Sequence, residues 1–333
     1  MGIAALMLAC AASVARGFAP SRRVAGAVLR RTTNAASSLR AGTTVIDGLA
    51  ELPLDRYDAI ILDQYGVLHN GEALLDGVAA ALERLQDGRR LVVLSNTSKR
   101  RGPLIAELPG RGFRSEWLHD AICSGECCWE ALRDSSYASA VVLGWSDRDS
   151  SAYLEGTGVA LADGSPDVIV AYGPDTIDMA GRELTDFRIT GDMAPYRDLL
   201  EDAVARNVPM LCANPDQRTI DVDGVTPLYM PGMMADAYRA MGGEVVLYGK
   251  PGVAHFSAAL RAAGVDAGRA LMVGDSLNHD ILGAAAAGLD SLFVVESGVH
   301  ATDLAEVSGA SVERLAAAEG APVPTFVMRK FRW

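Results

Sequence analysis

The sequence predicts an α/β protein built on a parallel sheet. Short apolar runs such as Tyr57–Leu62 and Arg90–Leu94 read as strands buried on both faces, and helical segments alternate with them along the chain. Half of the 333 residues are apolar and 22% are charged, a balance that excludes a wholly disordered chain. No internal repeat or low-complexity block interrupts the pattern.

Taken in order, Tyr57–Leu62 (YDAIIL) is the first strand and ends at Asp63. Leu75–Leu85 has helical spacing and stops at Gly88; Arg90–Leu94 (RLVVL) is the next strand and runs into Ser95-Asn96-Thr97. Ala121–Leu132 reads as helix, with Ser124-Gly125-Glu126 opening a core helix. Ser139–Leu143, Asp167–Tyr172 and Pro209–Ala213 read as three further strands. Val245–Leu247, Ala270–Val273 and Ser291–Val295 follow as strands, separated by helices over Gly252–Gly264 and Asp280–Gly288.

Charge divides the chain. The net −12 argues against a general nucleic-acid binder. Residues 1–46 carry six Arg and no acid, leaving 24 basic against 42 acidic residues beyond them, a balance of −18. Ile3–Ala15 is apolar apart from Ser13. It falls short of the roughly 20 residues a bilayer crossing needs but suits a signal h-region. Phe18–Ile46, rich in Arg, Ser and Thr, has transit-peptide composition. Gly17-Phe18-Ala19-Pro20 resembles the signal-plus-transit leader of algae with secondary plastids. Residues 1–43 are therefore read as a targeting leader to a plastid, with a mitochondrial presequence, or a merely disordered Ala/Arg-rich tail on a cytoplasmic protein, as alternatives, and no membrane span is expected in the mature protein. Of the five cysteines, Cys10 falls in the leader; Cys123, Cys127 and Cys128 read as helix-core thiols, and four thiols make no disulfide scaffold.

In parallel sheets the ligand crevice lies outside the carboxyl ends of the strands. Asp63, Ser95, Lys250 and Asp275 each follow a predicted strand, so the fold would gather two carboxylates, a hydroxyl and an ammonium there. Alone, each reads as a turn former, a helix cap or a solvated charge. Lys250 stands out because Lys99, Lys250 and Lys330 are the chain's three lysines among 30 basic residues. Set in Tyr248-Gly249-Lys250-Pro251-Gly252, it offers a compact point charge that arginine does not.

These segments resemble, in order, the motifs of the haloacid dehalogenase-like (HAD) hydrolase superfamily: Asp63-Gln64-Tyr65-Gly66-Val67-Leu68, Leu94-Ser95-Asn96-Thr97-Ser98, Gly249-Lys250-Pro251 and Gly274-Asp275-Ser276-Leu277-Asn278-His279-Asp280. Leu211-Cys212-Ala213-Asn214-Pro215-Asp216 resembles the Asn-Pro-Asp signature of its class IIA branch. The resemblance implies a Rossmann-like hydrolase core over 44–135 and 244–333, with an inserted α/β cap of C2 type over 136–243. It implies Asp63 as a nucleophile that forms an aspartyl-phosphate. Mg²⁺ would be held by Asp63, the Tyr65 carbonyl and Asp275, with Asp280 completing or supporting the shell. Ser95 and adjacent amides would bind the phosphoryl oxygens, Asn96 would orient the site, and Lys250 would pair with Asp63 and the transferring group. The implied substrate is a small phosphorylated metabolite, such as a sugar phosphate or pyridoxal phosphate, and a homodimer through the cap is a further implication. The loop of Asn214 and Asp216 reads equally as a substrate contact and as a capped turn.

One position departs from the pattern. The second residue after the nucleophile is Asp in the phosphatases and serves as general acid and base, whereas here it is Tyr65. A phenol with a pKa of about 10 is a poor substitute at neutral pH. Three readings follow: a phosphatase with weakened or relocated proton transfer, His69 being nearby; a metal-independent dehalogenase, which also opens Asp-x-Tyr but lacks the acidic segment of Asp275 and Asp280; and a phospho-ligand-binding module that has lost turnover.

Overall fold

The computed structural model describes residues 42–220 and 226–333. The leader through residue 41, with Cys10 and the plastid reading it carries, lies outside the described residues.

Ala59–Leu62 is central in a seven-stranded sheet ordered Thr44–Val45, Phe326–Met328, Asp290–Val294, Ala270–Gly274, Ala59–Leu62, Arg90–Ser95, Asp120–Cys123. Every pairing in it is parallel. Both faces are covered, which is why the strands read as continuous apolar runs. Ile60, Leu62, Val93 and Val273 pack with Val78, Ala81, Leu82 and Leu85 of the helix Val78–Leu85. Ala59, Ile61, Leu94 and Met272 face the other way, onto Phe256, Ala259 and Ala263 of the helix Val253–Ala263. From Ala59–Leu62 the chain steps outward to Arg90–Ser95 on one side and, after a long insertion, to Ala270–Gly274 on the other. Asp63 thus sits at the topological switch point, where such sheets open a crevice.

The insertion builds a second sheet, ordered Val245–Leu247, Met210–Cys212, Val168–Ala171, Ser139–Gly144, Thr176–Asp178, Arg182–Leu184. Its first four strands are parallel and the last two antiparallel. One face buries Val141, Ile169 and Met210 against Leu200, Met234 and Tyr238. The other buries Val142, Val170 and Leu211 against Cys128 and Leu132 of the helix Ser124–Arg133. Among the described residues no helix is long and apolar enough to cross a membrane.

Two elements differ from the sequence reading. Asp120–Cys123 is the edge strand of the first sheet rather than the first turn of a helix. Ala121 and Cys123 drop into the core while the residues between stay half-exposed, and helix begins only at Ser124. There the Gly125 N–H donates to the Thr97 carbonyl at 3.0 Å. A Cβ on Gly125 would come within 1.8 Å of the Ser98 carbonyl, so glycine lets this helix start close under the loop that follows Ser95. Val245–Leu247, which precedes Lys250, belongs to the second sheet, where it pairs with Met210–Cys212. Lys250 therefore reaches the crevice from the cap side.

Candidate active site

Ala59–Leu62 delivers Asp63 to the crevice, and the Asp63 N–H continues the ladder by donating to the Val273 carbonyl at 2.9 Å. Beside it, Ala270–Gly274 delivers Asp275. The chain then turns so tightly that a Cβ on Gly274 would lie 2.2 Å from the Asp280 side chain. Ser276 caps the following turn, Leu277–Ile281, by accepting from the His279 N–H at 3.2 Å. That turn folds Asp280 back, and its Oδ2 accepts the N–H groups of Asp275 (3.1 Å) and Ser276 (3.0 Å).

Lys250 meets both carboxylates: its Nζ lies 2.5 Å from Asp63 Oδ1 and 2.8 Å from Asp280 Oδ1. Burial opposes the lysine charge, but Asp280 and Asp63 outweigh it and hold its pKa above the ordinary lysine value. Asp275 is pushed well above the usual carboxylate range, first by burial and then by Asp63 and Asp280. Burial also raises Asp280, against the opposing pull of Lys250.

Oxygen atoms of Asp63, Asp275 and Asp280 all lie within 4.8 Å of one another, and among the described residues this is the one cluster able to hold a metal ion. Three carboxylates faced by one ammonium form a hard, anionic donor set suited to Mg²⁺. Oδ2 of Asp280 is taken up by the two amides, while Oδ1 is buried beside Lys250 with no hydrogen-bond partner among the described residues, so it is the oxygen of Asp280 that can turn to a cation.

Ser95 ends its strand in the crevice, almost buried, and its Oγ accepts from the Thr97 N–H at 3.3 Å. Asn96 ties three loops together. Its Oδ1 accepts the Lys250 N–H at 2.7 Å, while its Nδ2 donates to the Lys250 carbonyl at 3.2 Å and to Asp216 Oδ1 at 2.8 Å. Asn214 Oδ1 accepts from the Asp216 N–H at 3.0 Å, closing an Asx turn. Asp216 Oδ1 also lies 3.7 Å from His279 Nδ1, so the loop meets the turn that carries Asp280 as well as Asn96. Tyr65 stands at the surface, 39% exposed. His69 is a buried loop residue whose Nδ1 accepts from the Gly71 N–H at 3.0 Å, and burial depresses its pKa to about 4.

Two features escape sequence reasoning. His255, one turn beyond Lys250, donates from Nε2 to the Ser95 carbonyl at 3.3 Å, and its Nδ1 lies 3.7 Å from the Cys127 thiol. Trp145, at the end of Ser139–Gly144, donates from Nε1 to Ser98 Oγ at 3.0 Å and to the Tyr172 carbonyl at 2.8 Å, closing the cap onto the Ser95 loop. Neither lies in a motif, and only the three-residue spacing of Ser98 from Ser95 hints at the second.

Two family models match the chain: haloacid dehalogenase-like hydrolase over residues 60–160 and HAD-hydrolase-like over residues 247–319. Between them they take in Asp63, Ser95, Lys250 and Asp275. The chain belongs to the haloacid dehalogenase-like hydrolases. Its similarity to phosphatases supports the class IIA branch of phosphatase-type enzymes. Its similarity to a hydrolase structure of this family from Brucella suis has a TM-score of 0.69 at 28% identity, covering 86% of this chain and 99% of that one. It is 29% identical to chronophin of Bos taurus over 242 residues, 68% of this chain and 77% of the relative. Against the glycerol-3-phosphate phosphatase of Gallus gallus it is 29% identical over 274 residues, 78% of this chain and 85% of the relative.

Proposed function

We propose that this hydrolase is a Mg²⁺-dependent phosphomonoesterase for small phosphorylated metabolites. The observation that carries the reading is the buried cluster in which Lys250 bridges Asp63 and Asp280 beside Asp275. A phosphate monoester and an anionic nucleophile repel one another, so an enzyme joining them must concentrate positive charge where they meet. When bound, Mg²⁺ supplies the larger part of that charge, held by Asp63, Asp275 and the Tyr65 carbonyl.

The chain's own residues do the rest. Asp63, ion-paired with Lys250, attacks phosphorus in line with the leaving ester oxygen and becomes an aspartyl-phosphate, which water hydrolyses to inorganic phosphate and the free carboxylate. Lys250, Ser95 Oγ and the amides after Ser95 take up charge on the equatorial oxygens. Asp280 orients Lys250 and holds the Asp275–Ser276 backbone. Tyr65 gives poor proton transfer to the leaving group, and His69, neutral and locked into its loop, does not replace it. Turnover is accordingly slow. Two buried carboxylates and the part-buried Asp63 are faced by a single ammonium, a charge balance that favours a further cation, and so metal-dependent chemistry over a dehalogenase.

The test is phosphate release from a panel of monoesters by the full chain, with and without Mg²⁺, beside Asp63→Asn. Mg²⁺-dependent release lost in the variant supports the reading; binding without release turns the protein into a ligand-binding module, and metal-independent halide release from a haloacid makes it a dehalogenase. The leader composition further proposes plastid import, checked by the destination of a reporter fused after residue 46.

A further inference from the structure

Most described arginines are matched to carboxylates, as in Arg100–Glu126 and Arg182–Asp178. Two in the cap are set apart by sharing one aromatic ring. Arg148 and Arg188 both place their guanidinium groups over the Trp145 ring, at 4.5 and 5.7 Å from its centre. The carboxylate nearest Arg148 is Asp147, 3.8 Å from its Nε with its own side chain 75% exposed. Arg148 otherwise reaches Ser98 Oγ at 3.5 Å. Arg188 Nε is enclosed and has no hydrogen-bond partner among the described residues, the kind of exception that calls for an explanation.

Location supplies one. Trp145 is pinned, with Gly173 so close that a Cβ there would come within 2.6 Å of the ring. Its Nε1 is bonded to Ser98, three residues past Ser95. The cap thus holds two like charges on a rigid aromatic plate that is hydrogen-bonded to the loop following Ser95. A guanidinium stacked on an aromatic ring keeps its donor edge open for a planar or tetrahedral anion.

We propose that Arg148 and Arg188 form a second anion subsite, so that the substrate is a phosphate monoester carrying another anionic group, a carboxylate or a second phosphate, on its leaving-group side. This rests on the phosphomonoesterase reading and narrows its substrate class.

The test separates the two. Calorimetry with the full chain and Mg²⁺ compares non-hydrolysable ω-carboxyalkylphosphonates of increasing chain length with alkylphosphonates of equal length. At the matching length the carboxylate should tighten binding about 10- to 100-fold, as charge-assisted hydrogen bonds do. Arg188→Gln and Arg148→Gln should each remove most of that gain while leaving alkylphosphonate binding within about twofold. Equal binding of the two series by the unmodified protein overturns the subsite whether or not the variants fold, as does a preference that survives both substitutions. Hydrolysis of the corresponding phosphates is scored separately: selective binding without Mg²⁺-dependent release sinks the enzyme reading and leaves the subsite, whereas release without selectivity does the reverse.

Discussion

Asn96 grips the Lys250 peptide from both ends, its Oδ1 accepting the N–H at 2.7 Å and its Nδ2 donating to the carbonyl at 3.2 Å. The same Nδ2 reaches Asp216, so one carboxamide sets the lysine against the core and registers the cap loop on both. Gly249 makes room for it, since a Cβ there would lie 2.5 Å from Asn96 Oδ1. Asn96→Ala leaves a buried amide unpaired, a loss of about 1–3 kcal/mol. If half of that is felt in the transition state, kcat falls about 2- to 13-fold. Steady-state kinetics should show kcat dropping more than KM rises; an unchanged kcat would mean that Lys250 is positioned by Asp63 and Asp280 alone.

Gly298 carries a prediction about the metal. Its Cα approaches Asp275 so closely that a Cβ would lie 2.0 Å from Oδ2, the oxygen that also accepts the Val299 N–H at 2.9 Å. Gly298→Ala must therefore turn the Asp275 carboxylate or push the loop away. The expected result is an activating Mg²⁺ concentration raised about tenfold or more, with a smaller change in KM for the organic substrate. A Mg²⁺ titration of activity reads this directly, and an unaltered titration would show that the Asp275 orientation is not what holds the cation.

Asp63, Ser95, Lys250 and Asp275 were legible because each follows a short apolar run, and parallel sheets gather strand ends. Legibility failed where partners are distant in sequence. Val245–Leu247 is a β-branched run that could join either sheet, and its place was decided by register with Met210–Cys212. Asp120–Cys123 runs straight into a helix with no turn residue between them, so its apolar pattern merged with the helical one. Trp145 and Ser98 are 47 residues apart and share no motif, yet their hydrogen bond closes the cap. The substitution at Tyr65 was plain in the sequence. Its side-chain exposure was not.

Acid should destabilise this protein partly through its histidines. Burial depresses His69 to about 4, and burial together with Lys250 depresses His255 to about 3. Both side chains bind protons in the unfolded chain from an ordinary value near 6.5 but resist them in the fold. Their contribution is therefore complete above about pH 6.5 and is lost as pH falls toward the folded values, at about 1.4 kcal/mol per pH unit for each fully buried group. Denaturant melts of His255→Gln and the unmodified protein, compared between pH 6.5 and 4, should show a shallower slope in the variant by about one proton. Parallel slopes would mean that His255 takes up its proton in the folded state.

Restoring a carboxylate at position 65 is the sharpest test of what limits turnover. Tyr65 is 39% exposed at the mouth of the site, with its ring 6.4 Å from His69 in an edge-on contact, so Tyr65→Asp costs little packing. A carboxyl group there can give a proton to the leaving oxygen and later take one from the attacking water, help worth roughly 10²–10⁴-fold where it is well aligned. The backbone carbonyl of residue 65 is unchanged by the substitution, so the Mg²⁺ dependence should persist while kcat rises at least about tenfold. The rise should be largest for alkyl phosphates, whose poor leaving groups need the proton, and smallest for nitrophenyl phosphate, whose leaving group does not. A uniform gain across leaving groups would point to an effect on aspartyl-phosphate hydrolysis instead. No gain on any substrate would show that proton transfer is not what the tyrosine costs.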